Sequence, residues 1–291
     1  MANLKEIRNR ITSISSTMQI TSAMKMVSAA KLKRAQDAIV QMRPYAEKLQ
    51  EILGNLSATL DLSENAYSEA REVKNILIVG ITSNRGLCGG FNNNIIKRVK
   101  GLVNDDFADS NVKVLCLGKK IKDVYKKTDN YYINDDLAAV EDIFNDLTFD
   151  NVAIIGQNIM ELFQDKTFDK VIVVYNQFIN AASQNVMTED FLPIIPVIEE
   201  GNNSGGDYIF EPGKSEIVED LIPKSLKVQL FKGLLDSQAS EHGARMTAMH
   251  KATDNANDMK NELTLSYNKA RQAAITNEIL EIVGGAEALN G

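Results

Sequence analysis

Leu4-Lys-Glu-Ile-Arg-Asn-Arg-Ile11 opens a run that continues, in alternating steps of three and four, through Ile14, Met18, Thr21, Lys25, Ser28, Leu32, Ala35, Ile39, Met42, Ala46, Leu49, Leu53, Leu56 and Leu60. One heptad register kept for about eight heptads describes a helix of roughly 85 Å, which needs a partner helix along its whole seam. Pro44 lacks an N–H and crowds the turn before it, so a bend is predicted near Arg43. The seam turns polar at Thr21, Lys25 and Ser28 while Ile20, Met24, Met26 and Val27 lie off it. That pattern predicts a contact besides the partner helix at this level.

The far end of the chain supplies a partner. From about Lys214 to Leu289 the sequence reads as helix, and from Leu235 the same alternation gives Ala239, His242, Met246, Met249, Thr253, Ala256, Lys260, Leu263, Tyr267, Ala270 and Ala274. Small residues let two helix axes approach closely, and methionine tolerates a shifting contact surface. The C-terminal rod is the longer one and is predicted to overhang the N-terminus.

Between the rods, Asn75–Ile81, Val112–Leu117 and Lys170–Tyr175 are short apolar runs rich in β-branched residues, the pattern of buried parallel strands, with Tyr208–Phe210 a weaker fourth. Helical stretches fall between them, over 91–103, from Gly118, over 137–144 and over 152–163, so βαβ units and a mostly parallel sheet are predicted. The predicted fold is α/β: an antiparallel coiled coil of the terminal helices carrying an inserted Rossmann-like domain. Its parts are residues 1–60, 73–213 and 214–289.

Composition narrows the function classes. No run of 18 apolar residues occurs, so no membrane span is predicted, and the start has no apolar core of a secretory signal or cleaved presequence. Cys88 and Cys116 are too few for a disulfide framework and have no metal-ligand spacing, which fits a reducing compartment. The net charge of −7 is unevenly spread: residues 1–48 hold nine Lys/Arg against three Asp/Glu, and residues 222–291 hold eight of each, leaving −13 in the middle. A basic rod on an acidic body points to an acidic partner along the first helix.

Motifs for chemistry are weak. Gly86-Leu-Cys-Gly-Gly90 follows a strand and precedes a helix, yet matches neither the dinucleotide fingerprint nor a phosphate loop ending in Lys-Ser/Thr. Its glycines equally suit a tight turn or the close approach of another backbone. Cys88 lies beside Arg85, a setting that can activate a thiol, but the two histidines, His242 and His250, are far away on the C-terminal rod. Lys31-Leu-Lys-Arg34 has no aromatic before Tyr45 to serve as a nucleic-acid platform. No catalytic residue, cofactor or metal is predicted. Two rival readings are a nucleotide-binding α/β enzyme with helical arms and a coiled-coil DNA-binding or scaffolding protein.

Three segments carry a family resemblance. Leu4-Lys-Glu-Ile-Arg-Asn-Arg-Ile11, Thr17-Met-Gln-Ile-Thr-Ser-Ala-Met-Lys-Met-Val27 and Arg43-Pro-Tyr45 resemble the start of the gamma subunit of bacterial-type F-type ATP synthases. Thr82-Ser-Asn-Arg-Gly-Leu-Cys-Gly-Gly-Phe-Asn92 is similar to that family's central loop, with Asn84 where Asp is common. Ala239-Ser-Glu-His-Gly-Ala-Arg-Met-Thr-Ala-Met249, Tyr267-Asn-Lys-Ala-Arg-Gln272 and Ile275-Thr-Asn-Glu-Ile-Leu-Glu-Ile-Val-Gly-Gly-Ala-Glu-Ala288 resemble its end.

The resemblance implies a non-catalytic rotor shaft of a proton-translocating complex. Such a shaft is peripheral to the cytoplasmic face of the bacterial plasma membrane and sits inside a ring of alpha and beta subunits. Its α/β body meets the epsilon subunit and the c-subunit ring, and ATP chemistry stays on the beta subunits. Matched residue by residue, Met24, Lys25, Met26, Arg85, Cys88, Arg271, Gln272, Thr276 and Glu278 would touch the ring. Lys25 stands where relatives carry an acid, which changes the charge of that contact. The chloroplast branch has a cysteine pair in an extra loop, whereas here Glu199–Asp207 is short and contains no cysteine.

Overall fold

The computed structural model describes residues 4–57, 66–69, 71–133, 140–194 and 214–290. Its elements are α1 (Leu4–Ser57), β1 (Asn75–Ile81), α2 (Phe91–Gly101), β2 (Asn111–Leu117), α3 (Lys119–Tyr125), α4 (Phe149–Gln164), β3 (Lys170–Phe178), β4 (Gln184–Leu192) and α5 (Lys214–Asn290). The chain divides into two compact units, Met1–Ser28 with Met246–Gly291, and Ala29–Arg245. Helices α1 and α5 contribute to both. The sheet is inserted between them in sequence and lies in the second unit.

In that second unit the strands lie in the order β2-β1-β3-β4. β1 is parallel to β2 and to β3, and β4 runs antiparallel at the edge. Side chains alternate across the sheet with period two, as a pleated strand requires. Leu77, Val79 and Ile81 of β1, Leu115 and Leu117 of β2, and Val171, Val173 and Tyr175 of β3 point to one face. There they meet Ile155, Ile159 and Phe163 of α4 and Ile222, Leu226, Leu230 and Leu234 of α5. Ile76, Ile78, Val112, Val114, Ile172 and Val174 point the other way, against Ile95 and Val99 of α2 and Ile121 and Tyr125 of α3. With helices on both faces, the three inner strands read as continuous apolar runs, which is why they were legible.

β4 departs from the predicted set. Only Phe191 and Leu192 of its nine residues are buried, because an edge strand has one free side and so carries polar residues such as Gln184, Asn185 and Glu189. It returns from β3 through a tight turn in which the Asn180 side chain accepts from the backbone N–H groups of Ala182 and Ser183. The stretch predicted as helix over 137–144 is a 3-10 segment over Val140–Phe144, with 137–139 outside the described residues. The weak strand at Tyr208–Phe210 and the loop Glu199–Asp207 also fall outside them.

Pairing of α1 with α5 is antiparallel. In the first unit Arg8 donates to the Tyr267 hydroxyl at 2.9 Å, and Thr253 Oγ1 donates to Thr21 Oγ1 at 2.8 Å, so moving forward on one helix means moving back on the other. The heptad residues face inward: Ile7, Thr21 and Ser28 are buried on α1, as are Met249 and Ala256 on α5. At Thr21, the first polar position of the seam, α5 covers the side chain and Thr253 satisfies it, a hydroxyl pair inside the coiled coil. Small hydroxyl residues at this level also permit close approach of the two axes.

Candidate partner-contact sites

The loop after β1 is braced from within the second unit. Ser83 Oγ donates to the Arg85 carbonyl at 2.6 Å, and Asn92 Oδ1 accepts from the Ser83 backbone N–H at 2.9 Å. Thr82 Oγ1 accepts from the Ile121 N–H at the start of α3. Gly118 sits at φ +114°, and a Cβ there would lie 2.1 Å from the Thr82 carbonyl oxygen, so only glycine admits this approach.

From the other side, Arg245 of α5 reaches the same loop. Its guanidinium donates to the Gly86 carbonyl at 3.2 Å and to the Arg85 carbonyl at 3.4 Å. It also pairs with Glu241, one helical turn earlier, at 2.7 Å. Both charged side chains are about nine-tenths buried, and a buried ion pair of this kind holds only while its remaining donors find acceptors. Here the two loop carbonyls are those acceptors.

Burial pushes the Glu241 carboxyl up, against the pull of Arg245, Lys31 and Arg85. His242 is driven down to about 4, first by burial and then by Arg245 and Lys31, so it stays neutral near pH 7. This strap holds an exposed tip in place. Leu87 stands at φ +63° with 65% of its surface exposed, and Arg85 is exposed beside it. A leucine at positive φ costs on the order of 1 kcal/mol, and an outward apolar side chain gains nothing by burial within this chain.

Cys88 faces inward instead. It is 2% exposed, lies 3.1 Å from Asn92 Nδ2, and its thiol is pushed up by burial more than Arg245 and Ser83 lower it. A nucleophilic thiolate is therefore disfavoured here.

A nucleotide in an open α/β sheet binds at the carboxyl ends of the strands, where neighbouring crossovers diverge. In this chain that crevice is filled by its own groups. Asn176 at the end of β3 donates to the Phe91 carbonyl, and Ser240 of α5 donates to the Asn176 carbonyl. Thr82, Ser83, Asn176 and Ser240 are all at most 1% exposed. Among the described residues no group of three His, Cys, Asp or Glu is placed to hold a metal.

The first unit presents the remaining residues singled out in the sequence. Met26 is 66% exposed, Ile20 and Val27 are also exposed, and both Lys25 on the seam and Met24 beside it are half-buried. On α5, Arg271, Gln272, Thr276 and Glu278 are exposed. Over 275–286 the helix has no inward face: Ile275, Ile279, Leu280, Ile282 and Val283 are between 47% and 71% exposed. The structure thus brings Arg85 and Cys88 into one loop in the second unit, while the other seven lie in the first unit. Leu87, Glu241 and Arg245 were missed. Their only sequence signals were a large apolar residue inside a glycine cluster and an i, i+4 acid-base pair.

The sequence matches the ATP synthase family over residues 3–289. It is 64% identical to the ATP synthase gamma chain of Flavobacterium johnsoniae and 50% identical to that of Cytophaga hutchinsonii, in each case across the whole of both chains. The chain belongs to the ATP synthase gamma family.

Solved structures share this family fold at low identity. The rotor of the Euglena gracilis mitochondrial ATP synthase matches at 22% identity with a TM-score of 0.64, covering 94% of this chain and 98% of that one. The central stalk of the Tetrahymena thermophila enzyme matches at 24% identity with a TM-score of 0.56, covering 80% and 99%. Antiparallel terminal helices with an inserted α/β body are therefore the gamma fold. No described helix is long and apolar enough to cross a membrane.

Proposed function

We propose that this chain is the rotor shaft of a bacterial F-type ATP synthase, itself without catalytic activity, and that it carries torque between an ion-driven c-subunit ring and the nucleotide sites of the surrounding alpha and beta subunits. The observation that supports this most is the bare stretch 275–283 of α5, an apolar helix surface that no described part of the chain covers. A contiguous exposed apolar surface of this kind marks an interaction site. A sleeve of other subunits around it is the reading that fits a gamma chain. The filled crevice weighs against the rival nucleotide-binding enzyme, since a nucleotide there would have to displace Asn176 and Ser240 from their hydrogen bonds.

The ring contacts are the residues matched from the family: Met24, Lys25, Met26, Arg271, Gln272, Thr276 and Glu278 on the shaft, and Arg85 on the loop. Leu87 joins them as the apolar tip of that loop, and Cys88 serves the same loop from inside. The α/β body takes the epsilon subunit and the c ring, placing the complex on the cytoplasmic face of the plasma membrane. The three-part division 1–60, 73–213 and 214–289 is kept as the functional one: two shaft helices and a body.

Mixing the purified chain with alpha and beta ATPase subunits tests the reading. A stable complex with one copy of this chain per ring is expected, and ATP or NAD should give no heat of binding to the chain alone. A chain that binds nucleotide and leaves the ring subunits unassembled would overturn it. Within the assembled complex, Met24→Lys places a second charge beside Lys25 and is expected to lower ion pumping per ATP hydrolysed while leaving the thermal midpoint of the free chain unchanged.

A further inference from the structure

Asp236 of α5 is 2% exposed and lies where three elements of the second unit meet. It accepts from the Phe178 backbone N–H at the end of β3, while its Oδ1 has no hydrogen-bond partner. Ile39, Met42 and Arg43 of α1 and Lys232, Leu235 and Asp236 of α5 line a cavity of about 10 Å³ at this point. That volume is at the lower limit for one water molecule. A buried carboxylate oxygen without a partner is costly, and a water molecule at this point would supply its missing donor.

The position on α1 matters too. Pro44 follows Arg43 inside the helix and leaves the Val40 carbonyl without its usual donor four residues on, so the helix supports itself least here.

We propose that Asp236, one bound water and Arg43 form a clasp that fixes α1 onto α5 and β3, and that a proton arriving at Asp236 Oδ1 opens it. The water donates to Oδ1 and accepts from the Arg43 guanidinium. Protonation through the cavity turns Oδ1 from an acceptor into a hydroxyl, removing the negative charge that attracts Arg43. Lys232 on α5 attracts the carboxylate as well, and Glu189 of β4 repels it. The phenol of Tyr175 on β3, which donates to Glu189 at 2.6 Å, stays neutral and does not oppose the clasp. Burial outweighs Lys232 and Arg43 and raises the Asp236 carboxyl to about 6, so the clasp is closed at pH 7.5 and open at pH 5.

Hydrogen exchange of the full chain tests this, read on the backbone amides over 36–46 and corrected for the intrinsic pH dependence of exchange. At pH 7.5 Asp236→Asn and Arg43→Gln are each expected to speed exchange of this segment about tenfold, with β1 and β3 as protected as in the parent chain. At pH 5 the parent chain is expected to exchange like Asp236→Asn. Arg43 is exposed, so Arg43→Gln keeps the fold and reads the clasp even where Asp236→Asn disturbs it. An unchanged rate over 36–46 in Arg43→Gln at pH 7.5, or a parent chain equally protected at both pH values, overturns the proposal.

Discussion

Helix α5 lives in two environments, and the contrast explains its sequence. Between Ile222 and Arg245 nearly every turn is covered, with Leu226, Leu230, Leu234, Ala239 and Ser240 at 2% exposure or less. Between Ile275 and Val283, similar apolar side chains stand in the open. One stretch is apolar because it forms part of a core within this chain. The other is apolar although nothing in the described chain covers it. Apolar content therefore does not distinguish a core helix from a docking helix, and only burial does. The charged residues divide the same way. Glu241 and Arg245 are committed to each other and to the loop, whereas Arg271 and Glu278 face outward.

Substitutions should separate these two regimes by size. Arg245→Ala leaves Glu241 buried without its partner and strands the Arg85 and Gly86 carbonyls. Removing one member of a buried pair costs about 3–5 kcal/mol, so the urea midpoint of the chain should fall sharply. An equal fall in Arg271→Ala would break the distinction between the buried and the exposed arginine.

Acidification probes the same buried patch. His242 has a folded value of about 4, below its ordinary 6.5, so its neutral form is favoured in the folded chain. Its contribution is fully present above pH 6.5 and is lost as pH falls through 4, amounting to up to about 3 kcal/mol. His242→Gln should remove that loss, so the stability difference between parent and variant should change between pH 6.5 and pH 4. A constant difference across that window would show the histidine to be solvated.

The smallest effect on stability belongs to the tip. Ile282→Ser should change the unfolding free energy of the free chain by no more than about 0.5 kcal/mol, as exposed substitutions do. In the assembled complex the same variant should loosen coupling of hydrolysis to ion pumping. A large loss in the free chain would mean that the tip is buried against the chain itself.

Much of this was legible in the sequence because it is periodic. The heptads placed Ile7, Leu32, Ala35, Ile39 and Leu49 inward on α1, and all five are buried. Three strands flanked by helices on both faces announced themselves as apolar runs. What escaped notice depends on contacts far apart in sequence. β4 pairs along one side only, so polarity on its free side erased the apolar run. Nothing local to Arg245 shows that the Arg85 and Gly86 carbonyls, about 160 residues away, are its acceptors. Thr21 was conspicuous as a seam defect, and its explanation waited on Thr253.

Direct observation of rotation tests the central claim. Both native cysteines are buried, so a single cysteine placed at the exposed Lys127 can carry a bead without competing labels. With the ring of alpha and beta subunits fixed to a surface and ATP supplied, the bead is expected to turn continuously in one direction. ATP hydrolysis by the assembled complex with a bead that only fluctuates about a fixed angle would contradict the account.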